Sequence, residues 1–366
     1  MKILILDAYY RRFLKQFYET HPETAALDFE NHRGSLMRAR FGTSDAYSDG
    51  LRELGFESQE IVTNDDRLQW KWAVENGVRA VRLPSRLNLV LNKAVGLDWR
   101  YRVIVEQVRT IRPDVLYVQE DNILTDALLV ELKKNCRLLV GQVASPIPGR
   151  RTYRAYDLVL TSFPHFVQEF SRQGIKSRYF RLAFDARVLD ELPAAPTRSF
   201  ACTFVGGISR AHTNRVALLE RLAQSLDIDF FGYCQGLPAQ SPVLRRHHGE
   251  VWALDMYRAL ASSQITINNH IDVAGRFANN MRLYEATGVG ACLVTDVKEN
   301  LHELFKPDIE IVGYAGVEEL VEKVRYLLTH EAERAAIARS GQERTLREHT
   351  YRHRMQELMA ILGEEI

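Results

Sequence analysis

Short apolar runs alternate with helix-length segments along this whole chain, and that alternation limits the fold more than any other feature. In the first half the runs are KILIL (2–6), ESQEIV (57–62), VLYVQ (115–119), RLLVGQV (137–143), LVLTS (158–162) and SRYFRL (177–182). Between them lie helical patterns such as SDGLRELG (48–55), whose Gly55 reads as a helix stop. FDARVLDELPAAPTRS (184–199) has two prolines and no periodicity, and a second series follows it. That series runs ACTFVG (201–206), DIDFFGY (227–233), QITINN (264–269), ACLVTD (291–296) and IEIVGY (309–314). Strands alternating with helices argue for an α/β fold on parallel sheets.

A chain of 366 residues exceeds what one hydrophobic core supports, so two domains are expected. The join at 184–199 places them at residues 1–190 and 191–345, with 346–366 a final helix that packs back on the first domain. MKILILDAYY is too short in its apolar part for a signal peptide and reads as a first strand. No run reaches the ~20 apolar residues of a membrane span. The four cysteines are scattered without C-x-x-C spacing, as buried free thiols in a reducing compartment would be, so a cytoplasmic protein is expected. Net charge is only +1, but residues 67–112 hold ten basic and three acidic side chains. Solvated helix faces explain that stretch best; peripheral contact with a membrane or an anionic acceptor stays open.

In doubly wound sheets ligands sit beyond the carboxyl ends of the strands, which selects two stretches. FVGGISRAHTNR (204–215) is a strand, a glycine pair and the start of a helix. Gly206 and Gly207 let the backbone approach a phosphate, and Arg210, His212 and Arg215 supply charge for a diphosphate. It lacks both G-x-G-x-x-G and a Walker lysine, which counts against dinucleotide or ATP binding. INNHIDVAGRFANNMRLYE (267–285) places His270 and Asp272 after a strand, and Asn279 or Asn280 at a helix cap. Arg282 and Glu285 then share a helix face at i and i+3, where a plain ion pair competes with a ligand role. Gly288 and Gly290 bring this helix close to the next strand, which favours a carboxylate at Glu285 that accepts two ribose hydroxyls. No metal site stands out: DID (227–229) enters a strand, and RRHH (245–248) reads as a solvated loop.

The pattern N-x-R-x-x-E-x-x-x-x-G, followed by an apolar strand ending in TD, resembles the nucleotide-sugar domain of GT-B glycosyltransferases. It is most similar to the spore-maturation-type group of the group 1-like families, as are FVG with downstream His and Arg, NNH before the motif, and the tail SGQERTLREHTYRHRMQEL. The likeness covers most of residues 200–360 and is looser over 1–190. It implies two Rossmann-like doubly wound domains facing a cleft, and hexosyl transfer from a nucleoside diphosphate sugar, UDP or GDP, without a metal or resident cofactor. In that pattern Glu285 binds the ribose, while Arg282 and the 206–215 loop bind the diphosphate. Phe277 stands where many retaining relatives carry a second acidic residue, so the stereochemistry is open. An inverting reaction would need a base from the first domain, for which Asp121, Asp45 and His165 are candidates, Asp45 also reading as a helix cap.

The acceptor is undetermined: a glycan, a small molecule, a lipid-linked sugar or a protein. A nucleotide-sugar epimerase or hydrolase, and a non-catalytic nucleotide-sugar-binding protein, are the alternatives within one architecture. Nucleic acid is disfavoured, because Trp70, Trp72, Trp99 and Tyr101 in the basic stretch have spacings suited to helix packing.

Overall fold

A computed structural model of the protein describes residues 1–80, 98–119, 124–147, 152–209 and 213–366. The chain divides into two compact units, Met1–Phe180 with Met355–Ile366, and Arg181–Arg354. The first is built on a six-stranded parallel sheet in the order β2-β1-β3-β4-β5-β6. Its strands are β1 (Lys2–Asp7), β2 (Glu57–Val62), β3 (Val115–Val118), β4 (Leu138–Val143), β5 (Leu158–Thr161) and β6 (Ser177–Tyr179). Every residue of β3, β4 and β5 is buried, as expected of parallel strands covered on both faces. β1 lies between β2 and β3, pairing Ile3 with Ser58 on one side and Val115 on the other. β6 stops three residues short of the run that encodes it; Phe180 donates its N–H to Thr161 O (2.8 Å) and buries its ring.

The second unit repeats the plan. Its strands are β7 (Phe200–Val205), β8 (Ile208–Ser209), β9 (Asp229–Phe231), β10 (Cys234–Gln235), β11 (Ser263–Asn268), β12 (Cys292–Asp296) and β13 (Val312–Tyr314). Five of them form a parallel sheet in the order β13-β12-β11-β7-β9, while β8 and β10 pair as a two-residue ribbon. Counted from the first strand of each sheet, the first unit follows the order 2-1-3-4-5-6 and the second 2-1-3-4-5. Two apolar layers cover the second sheet. Leu293 faces a cluster with Phe184, Tyr257 and Leu283, and its neighbours Cys292 and Val294 face another with Leu219, Leu320 and Val324. No described helix is long and apolar enough to cross a membrane.

The described part of the basic stretch is engaged within the fold. Arg100 pairs with Asp98 and Asp66, Arg109 with Glu106 and Glu131, and the Trp70 and Trp99 rings meet edge to face at 5.8 Å. The helix Ala46–Glu53 carries the SDGLRELG pattern and is followed by Gly55 at φ +86°.

Candidate functional site

The strand order turns back between β7 and β11, and the ends of these two strands define the site. After β7, Gly206 donates its N–H to Phe231 O (2.8 Å). Gly207 lies so close to the Tyr233 ring that a Cβ there would approach it to 2.3 Å. After β11 come Asn269 and His270. Arg215, from the helix Thr213–Ser225, spans the gap: Nη1 donates to Gly207 O (3.2 Å) and Nη2 to Asn269 O (2.8 Å). Its Nε is buried and has no hydrogen-bond partner. Burial holds the guanidinium below its usual pKa, against the pull of Tyr233, Asp296 and Asp272.

His270 is fully enclosed at its side chain. Its backbone N–H reaches Asp296 Oδ1 at 3.0 Å and its ring Nδ1 reaches the same oxygen at 2.6 Å, which fixes the tautomer with the proton on Nδ1. That leaves Nε2, which is buried and has no hydrogen-bond partner. Burial alone would raise the Asp296 carboxyl, but the hydrogen bonds and charge of His270, with Lys298 at 3.3 Å, hold it below the usual range. Asp272 accepts from Asn214 (3.3 Å) at the rim. Beneath them Tyr314 donates to Asn268 O (3.0 Å), joining the end of β13 to that of β11.

A second group sits one step along the chain. Asn280 Nδ2 donates to Asn268 Oδ1 (2.7 Å), and Asn280 Oδ1 accepts from Leu283 N (3.3 Å). So Asn280, rather than Asn279, receives the N–H at the start of the helix Arg282–Gly288. Arg282 Nη1 and Glu285 Oε2 pair at 2.8 Å with little exposure of either side chain. Burial raises the Glu285 carboxyl, opposed by Arg282 and by a hydrogen bond from Tyr257 on the helix Ala253–Ala261. Gly288 has a packing reason of its own: a Cβ would come within 2.6 Å of the Phe184 ring.

Of the residues singled out in the sequence, Gly206, Gly207, Arg215, His270 and Asp272 gather around the strand ends, with Asn280 as the link to Arg282 and Glu285. Arg210, His212 and Asp121 lie outside the described residues. Asp45 stands at the cap position of the helix Ala46–Glu53 but makes no capping bond; its carboxylate pairs with Arg40 at 3.0 Å. His165 packs its ring on Phe163 and Phe166. The RRHH stretch is not a free loop, since Arg246 and His248 both bond Asp229, at 2.9 and 2.7 Å, and His247 bonds Gly232 O. Sequence reasoning missed Asp296, Tyr257 and Tyr314. Asp296 had a signal, as a carboxylate ending a strand at the ligand side; Tyr257 had none.

Residues 213–360 match the protein family described as glycosyl transferase-like. None of the curated protein sequences matches the chain. Among solved structures it is similar to a glycosyltransferase of Rickettsia africae, at 12% identity and TM-score 0.60, over 99% of this chain and 98% of that one. It is also similar to Anabaena HepE in complex with UDP-glucose, at 14% identity and TM-score 0.59 over 100% of both chains. Sucrose-phosphate synthase of Thermosynechococcus elongatus follows at 10% identity and TM-score 0.57, over 100% and 99%. At such identities the likeness establishes the fold, which is GT-B.

Proposed function

We propose that this chain, a GT-B protein with a glycosyl transferase-like module at residues 213–360, moves a hexosyl group from a nucleoside diphosphate sugar to an acceptor. The observation that carries the reading is the pair of buried nitrogens without partners, Arg215 Nε and His270 Nε2, at the turn-back point of the second sheet. Arg215 Nε–H can donate to a phosphate oxygen as it stands, His270 Nε2 does so when the ring carries a proton on both nitrogens, and the two sit where this sheet type binds ligands. Arg282 would add a second guanidinium and Glu285 the acceptor for ribose hydroxyls. The charge that develops on the departing diphosphate is then met by the guanidinium groups, with His270 beside them, and the reaction needs no divalent ion in this reading. Anabaena HepE, with its bound UDP-glucose, supports a uridine nucleotide as the donor to try first.

A melting screen against UDP, GDP, dTDP, CMP, ADP and NAD, with and without EDTA, tests this. A nucleoside diphosphate at 100 times its Kd should stabilise by ~2.7 kcal/mol, whether or not EDTA is present. A shift with NAD and with none of the diphosphates would overturn the reading. Sugar release or isomerisation with no acceptor present would identify a hydrolase or epimerase instead.

A further inference from the structure

At the amino ends of the second sheet's strands, opposite to the site above, lies a pocket of about 270 Å³. Three arginines line it: Arg198, Arg334 and Arg339. Arg198 precedes β7 and reaches under the sheet, donating from Nη1 to Ala261 O (2.6 Å) and Ser263 O (3.1 Å), and from Nη2 to Gly290 O (2.6 Å). Arg334, on the helix Glu331–Glu348, is 9% exposed and donates from Nη1 to Leu327 O (2.7 Å) and Leu328 O (3.4 Å). All these acceptors are backbone carbonyls. Among the described residues neither guanidinium has a carboxylate partner, and both keep Nε without a bond. Loss of water, and then the charge of Arg334, hold Arg198 below its usual pKa.

A charge drawn out of water without a counter-ion is costly, and two like charges side by side add to that cost. Glu331 is the single carboxylate in the lining, so three cations face one anion. We propose that this pocket binds a phosphate group, carried either by inorganic phosphate or by a small phosphate ester. The inference does not depend on the donor site. It does touch the same helix, because Gln342 Nε2 holds Gly288 O (2.9 Å), in the last residue of Arg282–Gly288, and Arg198 holds Gly290 O in the turn after it.

The test is a melting titration with inorganic phosphate against chloride at fixed ionic strength, on the whole protein and on three variants. Ala335→Glu puts a carboxylate in the lining, Arg339→Gln removes an exposed cation from it, and Arg215→Gln disables the opposite end of the sheet. Phosphate should raise the melting temperature saturably in the wild type and in Arg215→Gln. The part of the shift that survives Arg215→Gln should vanish once Ala335→Glu is added, Ala335→Glu should itself melt higher without phosphate, and half-saturation should rise several-fold in Arg339→Gln. Should Ala335→Glu not fold, Arg339→Gln alone decides. Equal effects of phosphate and chloride, a shift unchanged in both pocket variants, or a shift lost only in Arg215→Gln would each overturn the proposal. A hexose 6-phosphate acting at lower concentration than phosphate would name the ester as the source; the reverse order would name the free ion.

Discussion

Asn280 and Asn268 hydrogen-bond at 2.7 Å through their side-chain amides, tying the start of the helix Arg282–Gly288 to the last residue of β11. Asn268 is further held by Thr295, to whose Oγ1 it donates at 2.9 Å. The strand end that carries His270 and the helix that carries Arg282 and Glu285 are thus tied directly to one another by hydrogen bonds.

Glu285 is the position where a structural ion pair and a ribose contact make opposite forecasts. Glu285→Gln keeps the shape and a hydrogen bond from Tyr257, but releases the charge on Arg282. If the ribose is bound there, nucleoside and nucleoside diphosphate should both bind more weakly by about 1–3 kcal/mol, the usual cost of an unmet buried polar group. Calorimetric titration with each ligand checks it. A lower melting temperature with unchanged affinity would mean that Glu285 serves only Arg282.

His270→Gln should weaken nucleoside diphosphate by about 1.5–3 kcal/mol, as for a hydrogen bond to a charged group, and leave nucleoside binding as it was. Asp296→Asn should act in the same direction through the ring, since it removes the negative charge that faces Nδ1. Equal losses for nucleoside and diphosphate would place His270 away from the phosphates.

In the first unit Glu60 lies in β2, 1% exposed, and accepts from Ser48 N (2.9 Å) and Ser48 Oγ (2.5 Å). Burial pushes its carboxyl up to about 7 from an ordinary 4.5. The folded state therefore holds this proton more tightly than the unfolded chain does. Its contribution is complete below about 4.5 and is lost as the pH rises through about 7. Glu60→Gln should then gain stability over the wild type between those values, by up to about 3 kcal/mol, and hold that gain at higher pH. Denaturant unfolding at pH 5 and pH 8 reads the difference. The same gap at both values would remove the buried charge as its cause.

The central strands were legible because a parallel strand buried on both faces is written as a mainly apolar run, and each of the eleven runs named overlaps a strand. β8 and β10 were not, since two-residue strands carry no period. At the site, glycines and polar residues directly after strands were readable from position alone, as with Gly207 and His270. Their partners were not: Asp296 stands 26 residues beyond His270. Tyr257 reaches Glu285 from a helix in which it reads as a core residue. Asp45 shows the converse. Its local context spells a cap, but Arg40, held nearby, takes the carboxylate instead.

The first unit is interrupted: it takes Met1–Phe180 and then Met355–Ile366, where Lys176 pairs with Glu365 and Arg137 donates to Ile366 O. A ribosome making this protein finishes the second unit before it supplies the last piece of the first, so the usual order of domain completion is reversed. Deleting residues 355–366 would thus wound the unit that begins at Met1, and a chimera that exchanges the two units at a single crossover would carry the wrong closing segment on both products.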